Sequence, residues 1–481
     1  MGTVKEDTLH GAKWGMIERF SVQGIQFVLS LIMARLLSPS DYGTIGMLAI
    51  FYAISQTFID SGFGNALIRK NNCIEEDFST VFYVNVGIAI TCYCILFALA
   101  PWVAEFFGVQ ILCPILRVQS INLVLNSLMG VQVAQLTRNI DFKALAKRAM
   151  LATLVSGVFG VLLAYLGCGV WALVYQSILS TVINFAFIWL YCRWYPQKRF
   201  SMKSFKELFG YGSKLLASGL LNTIYTNLTT LIVGKFYSSN DLGFYSRGTQ
   251  LARFPCDNIN GVLRKVTFPI LAKIQNDDKH LINIYRKYIC FSSLVIFFVC
   301  TLLAAIAEPL VRFLLTEKWE GAIIYLQIIC FAIMFDHVCS INLSLLQVKG
   351  RSDLFLRLEI IKKTISISIL FASIPFGVIG ICISKIIYTQ IAVFINTYYT
   401  GKLFNLDYIT QMKDFLPFLA YSILSCLPAY YLTFLNLPHV ISILAGCTSA
   451  SFLYWLILRK NNYMVEILEI VKTNIFIRKN I

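Results

Sequence analysis

The chain has 481 residues, of which 57% are hydrophobic and only 14% are charged. A soluble globular protein carries about 25% charged residues, so this composition cannot cover a soluble surface. It argues against a cytosolic enzyme, a nucleic-acid-binding protein and a secreted domain. Together with the mean hydropathy of +0.69, it predicts a helical protein that crosses a membrane many times.

The net charge of +16 comes from 41 Lys and Arg residues against 25 Asp and Glu residues. In a soluble chain this excess would suggest a nucleic-acid partner, but in a membrane protein it is typical of basic cytoplasmic loops. We therefore expect no nucleic-acid partner. Most of the 14 cysteines lie inside apolar runs and lack zinc-ligand spacing, so we interpret them as helix-interior residues and expect no metal site.

Apolar stretches of about 20 residues, long enough for membrane-spanning helices, recur along the whole chain. We count fourteen such stretches, near residues 12–37, 41–64, 79–103, 112–136, 146–166, 169–191, 207–234, 241–263, 287–307, 321–347, 354–374, 377–399, 412–434 and 438–458. The fold class predicted from this pattern is an all-α polytopic membrane protein with 14 transmembrane helices.

The basic residues predict how these helices are oriented. An even number of spans puts both termini on one side, and most Lys and Arg residues fall on that same side. The predicted loops on the other side hold only Arg35, Lys235, Arg312 and Lys318. Because basic loops stay in the cytoplasm, we expect a multi-pass protein with cytoplasmic N- and C-termini.

The sequence also contains an internal repeat with an offset of 200 residues. Residues 34–46 (ARLLSPSDYGTIG) align with residues 234–246 (GKFYSSNDLGFYS). The match pairs Ser38, Asp41 and Gly43 with Ser238, Asp241 and Gly243. Ser, Asp and Gly suit a tight turn and the start of the next helix. Because the offset joins spans an even number apart, it predicts parallel repeats related about the membrane normal.

This repeat defines the predicted domains. We expect an N-terminal six-helix lobe at 1–191, a basic cytoplasmic linker at 192–207 and a C-terminal six-helix lobe at 208–399. Residues 400–481 then hold two extra C-terminal helices, 13 and 14, and a basic cytoplasmic tail. Duplicated helical lobes are an architecture of secondary transporters, although the duplication could also have built a larger bundle and nothing more.

At the repeated turn the sequence resembles a known family. ARLLSPSDYG at 34–43, followed by IDSGFGNALIRK at 59–70, resembles the polysaccharide transporters of the multidrug/oligosaccharidyl-lipid/polysaccharide (MOP) flippase superfamily. These include the Wzx-type exporters of O-antigen, capsule and teichuronic acid units. The resemblance covers nearly the whole chain and implies a fold like that of MATE transporters and the lipid II flippase MurJ.

The resemblance also implies a function. A protein of this family would flip undecaprenyl-pyrophosphate-linked oligosaccharide repeat units across the bacterial inner membrane by alternating access through a cationic central cavity. The flipped units would serve the synthesis of a surface polysaccharide. The implied partners are the lipid-linked oligosaccharide, membrane lipids and a polysaccharide polymerase machinery.

Polar side chains form stripes on four of the predicted helices. Charged groups at membrane depth usually face a cavity or one another, because exposing them to lipid is costly. We predict that the cations would neutralise a pyrophosphate and that the amides and hydroxyls would bind sugars. Alternatively, the cations pair internally and hold the bundle together. The substrate-binding candidates are Arg19, Gln23, Gln26, Gln56, Asp60, Lys214, Asn222, Tyr225, Arg247, Gln250, Arg253 and Asp257.

Asp336 and His337 in the tenth predicted helix are candidates for coupling transport to an ion. Carboxylates and imidazoles at membrane depth can relay protons or bind Na⁺, so they suggest coupling to H⁺ or Na⁺. The other interpretation is an interhelical hydrogen-bond seam. We expect no further cofactor.

Two other functions were weighed against this one. One is a multidrug or metabolite exporter of the same fold. A drug exporter for organic cations would be expected to carry a surplus of buried acids. Here the cations at membrane depth (Arg19, Arg117, Lys214, Arg247, Arg253 and Lys385) outnumber the acids (Glu18, Asp60, Asp257 and Asp336), which suits an anionic head group. A membrane enzyme is disfavoured, because the four histidines are scattered and no large outer loop could hold a catalytic set. We therefore predict a transporter and not an enzyme.

Overall fold

The computed structural model describes residues 21–60, 62–70, 72–197, 199–435, 437–461 and 463. Across these ranges the secondary structure is helical and no β-strand occurs, which confirms the predicted all-α class. Two 3-10 turns lie at Glu317–Trp319 and Ile374–Phe376. The helices are α1 (Ser21–Leu36), α2 (Pro39–Asp60), α3 (Phe63–Arg69), α4 (Glu75–Phe107), α5 (Leu112–Gln119), α6 (Ile121–Arg138), α7 (Phe142–Tyr165), α8 (Val170–Cys192), α9 (Met202–Phe236), α10 (Ser239–Lys273), α11 (Asp278–Ala305), α12 (Ala307–Leu315), α13 (Gly321–Ile333), α14 (Asp336–Val348), α15 (Ser352–Ser373), α16 (Gly377–Phe404), α17 (Tyr408–Leu432) and α18 (His439–Leu458).

Eleven helical segments of the described chain are long and apolar enough to cross a membrane, so the protein is a multi-pass membrane protein. One of these segments, Ser352–Phe404, consists of two helices, α15 and α16. A 3-10 turn separates them, and α16 begins at Gly377 with a φ of 76°. Two predicted spans fall outside the eleven. α1 is apolar but its described part is short, and α10 carries many polar side chains. The count of fourteen crossings therefore stays a prediction.

Packing divides the chain into two compact units, Met1–Gly243 and Phe244–Ile481. In the first unit α2 packs against α9, α4 against α6, and α7 against α8. In the second unit α11 packs against α17, α13 against α16, and α17 against α18. The predicted lobes were defined by the sequence repeat, whereas these units are defined by packing. The lobe boundaries therefore stay a prediction.

The repeated turn forms the same hydrogen bonds in both copies. In the first copy the Ser38 hydroxyl donates to Asp41 Oδ2 at 2.7 Å, and the Asp41 amide donates back to Ser38 Oγ at 3.3 Å. In the second copy the Ser238 hydroxyl donates to Asp241 Oδ2 at 2.7 Å, and the Asp241 amide donates back at 3.1 Å. In each copy the serine backbone amide also donates to the aspartate Oδ2, at 2.9 and 3.2 Å. These bonds complete a reciprocal N-terminal cap and explain why α2 and α10 begin just after the serines.

The first turns of α2 and α10 also touch each other at the two repeated glycines. An ideal Cβ on Gly43 would lie 1.7 Å from the Ser239 carbonyl oxygen. A Cβ on Gly243 would lie 2.0 Å from the Pro39 carbonyl oxygen. The hydroxyls of Ser40 and Ser239 are 2.9 Å apart at the same crossing. The repeated glycines therefore lie inside α2 and α10, and they are required where the two backbones approach closely.

The basic linker at 192–207 is held by the first two turns of α4. Trp194 Nε1 donates to Glu75 Oε2 at 2.8 Å, and the backbone amide of Gln197 donates to Ser79 Oγ at 2.9 Å. The Ser201 amide donates to Thr80 Oγ1 at 3.0 Å. These bonds fix the path of the chain into α9.

Lys70 joins the start of α4 to the start of α9 in the same region. Its ammonium lies 3.0 Å from Asp77 Oδ2 and 3.1 Å from Glu207 Oε2. Burial alone would lower the pKa of Lys70, but the hydrogen bonds and charges of the two carboxylates outweigh it, so the pKa is raised. Lys70 therefore stays protonated and holds α4 and α9 together.

In the second unit, α17 is fixed to α11 by a two-point ion pair. Arg286 Nε and Nη2 lie 2.7 and 2.6 Å from the two carboxylate oxygens of Asp414. One residue earlier, the buried Tyr285 hydroxyl lies 2.9 Å from both Asn342 Oδ1 and Gln411 Oε1. The first of the two extra C-terminal helices is thus an integral part of this unit.

Candidate functional site

A hydrogen-bonded network in the first unit joins two of the predicted site residues to α6. Gln56 Nε2 donates to Asp60 Oδ1 at 2.9 Å. Asn126 Nδ2 donates to the Tyr52 hydroxyl at 3.1 Å and lies 3.4 Å from Gln56 Oε1. Gln56 therefore links Asp60 to Asn126. Asn126 was missing from the predicted site, although α6 carries Asn122 and Asn126 four residues apart, a helical spacing that could have indicated it.

The network places polar groups along one side of α2. Asp60 is exposed at the end of the helix, and Tyr52 lies about two turns deeper, about 12 Å along the axis. The Thr57 hydroxyl lies 2.9 Å from the Thr223 hydroxyl of α9. Amide, hydroxyl and carboxylate groups in this arrangement can exchange hydrogen bonds with the hydroxyls of a sugar.

The other candidates of the first unit lie on α1 and α9. Lys214, Asn222 and Gln26 are exposed, and Tyr225 is half-buried. Gln23 Oε1 is buried without a hydrogen-bond partner among the described residues. Arg19 lies outside the described residues. The polar groups of α1 and α9 that the structure describes are thus a mixture of exposed and partly buried side chains.

The two arginines of α10 in the second unit occupy different environments. Arg247 is only 5% exposed, donates to Gln250 Oε1 at 2.7 Å, and lies 5.6 Å from the ring centroid of the fully buried Trp319. The Arg253 side chain is 46% exposed, and its guanidinium is 3.8 Å from Asp257 Oδ1, which is beyond hydrogen-bond distance. Arg253 is therefore accessible to a ligand, whereas Arg247 is packed into its unit.

Sequence reasoning could not distinguish these two arginines. Both lie on a polar stripe of the same helix, six residues apart. The difference comes from Trp319, which belongs to a 3-10 turn far along the chain. A long-range stacking partner of this kind leaves no local pattern in the sequence.

His337 is enclosed by hydrogen bonds within the second unit. It is 1% exposed, its Nδ1 lies 2.7 Å from the Met334 carbonyl oxygen, and its Nε2 lies 2.8 Å from Ser293 Oγ. Because a carbonyl can only accept, Nδ1 carries the proton and Nε2 accepts from the serine in the neutral ring. This geometry favours the interhelical seam for His337. Asp336 is half-buried at the first turn of α14.

A small void adjoins this histidine. It has a volume of about 10 Å³ and is lined in part by Asn260, Thr267, His337 and Ser340. The void has room for about one water molecule. The Thr267 hydroxyl is buried without a hydrogen-bond partner among the described residues, so a water molecule would satisfy it.

The helices and the polar groups within them define an all-helical, multi-pass membrane protein. Residues 32–324, more than half of the chain, match the family described as polysaccharide biosynthesis protein. The chain belongs to this family.

Two curated relatives extend the similarity. The chain is 24% identical over 356 residues to the teichuronic acid biosynthesis protein TuaB of Bacillus subtilis, covering 74% of each chain. It is also 24% identical over 384 residues to the lipopolysaccharide biosynthesis protein WzxC of Escherichia coli, covering 79% of this chain and 76% of that one. These similarities confirm the predicted relationship to the polysaccharide transporters.

Two solved structures share the fold. The lipid II flippase MurJ in an inward-closed conformation matches with a TM-score of 0.73 at 15% identity, covering 93% of this chain and 99% of MurJ. An inward-facing multidrug resistance MATE family transporter of the MOP superfamily matches with a TM-score of 0.63 at 14% identity, covering 81% of this chain and 98% of the other. The predicted MATE- and MurJ-like fold is confirmed.

Proposed function

We propose that this protein flips undecaprenyl-pyrophosphate-linked oligosaccharide repeat units across the bacterial inner membrane for the synthesis of a surface polysaccharide. The observation that carries the proposal is the match to the polysaccharide biosynthesis family over residues 32–324. The relatives in teichuronic acid and lipopolysaccharide biosynthesis support the saccharide cargo. The fold shared with a lipid II flippase supports movement of a lipid-linked molecule.

The accessible polar groups support separate roles in this transport. Arg253 can exchange its weak contact with Asp257 for a phosphate, which a guanidinium binds through two hydrogen bonds. The amide and hydroxyl groups around Gln56 and Asn126 would exchange hydrogen bonds with sugar hydroxyls. Arg247 would act indirectly, by holding Gln250 on α10. Alternating access then exposes the bound cargo to each side of the membrane in turn.

Energy coupling and partners complete the proposal. Asp336, half-buried within a membrane-spanning segment, is the proposed site of H⁺ or Na⁺ coupling. A polysaccharide polymerase would consume the flipped units and thereby pull the reaction forward.

Deleting the gene in its host tests this function. We expect the surface polysaccharide to be lost and undecaprenyl-linked repeat units to accumulate, because synthesis of the units continues while their transfer stops. Supplying the gene in trans restores both. Mass analysis of the accumulated lipid would also identify the sugars of the cargo. Intact polysaccharide with an unchanged lipid pool would contradict the proposal and favour export of drugs or metabolites.

The proposed orientation can be tested with one native and one introduced cysteine. Cys168 is an exposed thiol in the turn between α7 and α8, and Asp407 is exposed in the turn between α16 and α17. With cytoplasmic termini and fourteen spans, these turns lie on opposite sides of the membrane. A membrane-impermeant maleimide added outside is expected to label Cys168, and to label the D407C thiol only after the membrane is opened.

The variant C168S supplies the matched background for the D407C measurement. Labelling of the D407C thiol in intact cells, or protection of Cys168 from outside reagent, would contradict the fourteen-span orientation.

A further inference from the structure

Lys385 is a cation inside the membrane-spanning helix α16, and its hydrogen-bond partner is a neutral tyrosine. Its ammonium is hydrogen-bonded to the Tyr245 hydroxyl and lies 4.9 Å from the centroid of that ring. Within the described chain no carboxylate pairs with it at salt-bridge distance. A charge at membrane depth is costly unless an opposite charge compensates it. An anionic ligand would supply the charge that Lys385 lacks.

Lys385 and Tyr245 lie at similar depths on their helices. Lys385 is eight residues after the start of α16, about 12 Å along its axis, and Tyr245 is six residues after the start of α10, about 9 Å along. Both helices begin at turns on the predicted outer side. The pair therefore lies in the half of the membrane that cargo reaches late in transport.

The Tyr245 hydroxyl accepts a hydrogen bond from Lys385 and holds its ammonium in place. Tyr245 is only 4% exposed, and Lys385 itself is half-buried. An ammonium without a compensating carboxylate suits an anionic oxygen group, as found in carboxylates and phosphates.

We infer that Lys385, positioned by Tyr245, forms a second anion subsite for the cargo, separate from Arg253. This inference rests on the proposed function and specifies its cargo further. Arg253 lies eight residues after Tyr245, about 12 Å along the same helix. Two anionic groups of one molecule can occupy both positions, or one group can move from Arg253 to Lys385. The anion is either the carboxylate of an acidic sugar or the pyrophosphate itself.

Binding measurements on the full-length protein in lipid nanodiscs test this inference. The probes are undecaprenyl pyrophosphate, an undecaprenyl-pyrophosphate oligosaccharide built of uncharged sugars, and the same molecule with one sugar replaced by a uronic acid. The test variants are K385Q, K385R and Y245F. The control is K402Q, which removes an exposed lysine near the far end of the same helix. Thermal melting shows whether each variant is folded.

We expect K385Q to weaken binding at least tenfold, K385R to retain most of it and K402Q to leave it unchanged. If K385Q weakens binding of all three probes, the subsite holds the pyrophosphate. If it weakens binding of the uronic-acid probe alone, the subsite holds a sugar carboxylate. If K385Q melts early, Y245F provides the comparison, since it keeps the lysine and removes only the hydroxyl.

Two outcomes would overturn the inference, and they are distinguishable. Equal binding of every probe by the wild type, K385Q and Y245F would remove the subsite and leave the proposed function intact. A wild-type protein that binds none of the three probes would overturn the proposed function together with the subsite.

Discussion

Replacing Arg253 by glutamine is expected to reduce polysaccharide export by about 10- to 100-fold, because the variant loses charge-assisted hydrogen bonds to a phosphate. The amount of protein in the membrane should not change. The Arg253 side chain is 46% exposed, and its one ion pair, to Asp257, is long at 3.8 Å. Little folding energy is therefore lost with the guanidinium. Export is measured as surface polysaccharide in a complemented deletion strain, and abundance is measured by immunoblot of the membranes.

Arg247→Gln is the matched comparison on the same helix. Arg247 is buried against Trp319 and hydrogen-bonded to Gln250, so its removal is expected to lower the melting temperature and the abundance along with export. If Arg253→Gln also lowers abundance in proportion to export, Arg253 has a structural role, and the proposed binding of phosphate by Arg253 is contradicted.

Adding a methyl group at the crossing of α2 and α10 is expected to be the most destabilising small change in the described chain. In Gly43→Ala the new Cβ would lie 1.7 Å from the Ser239 carbonyl oxygen, and in Gly243→Ala it would lie 2.0 Å from the Pro39 carbonyl oxygen. Backbone atoms cannot rotate away as a side chain can, so the two first turns must separate. We expect a loss of about 3 kcal/mol of stability for each variant, seen as a lower melting temperature in detergent.

The double variant and a control make this prediction specific. Because both glycines belong to one crossing, the double variant should lose less than the sum of the two single losses. Gly87→Ala in α4 meets no atom within 4 Å and should melt at the wild-type temperature or slightly above it. A Gly43→Ala protein as stable as Gly87→Ala would show that α2 and α10 do not approach so closely.

The features predicted correctly from the sequence are those set by local patterns. Apolar runs of membrane length gave helices such as α4 and α11, because every backbone polar group in lipid must be bonded within its own segment. The Ser38 and Ser238 motifs predicted two matching turns, because a serine and an aspartate three residues apart cap a helix by themselves.

The features missed depend on partners far apart in the chain. The repeated glycines were predicted to form turns, but they lie inside α2 and α10, and their tightest constraint is the backbone of the other repeat copy. Asn126 joined the network of Gln56 only after α6 packed beside α2. The polar stripe of α10 indicated candidate residues, yet the burial of Arg247 against Trp319 depends on the folded second unit. Side-chain type and spacing thus indicated candidate residues, and packing decides which of them remain accessible.

The leaflet on which repeat units accumulate in the deletion strain tests the central claim most directly. Sealed vesicles of known orientation, treated with an impermeant glycosidase, reveal on which side the undecaprenyl-linked sugars lie. A protein that flips these units predicts accumulation on the cytoplasmic leaflet, reversed by the wild-type gene and not by Arg253→Gln. Repeat units on the periplasmic leaflet of the deletion strain would show that flipping continues without this protein and would contradict the proposed function.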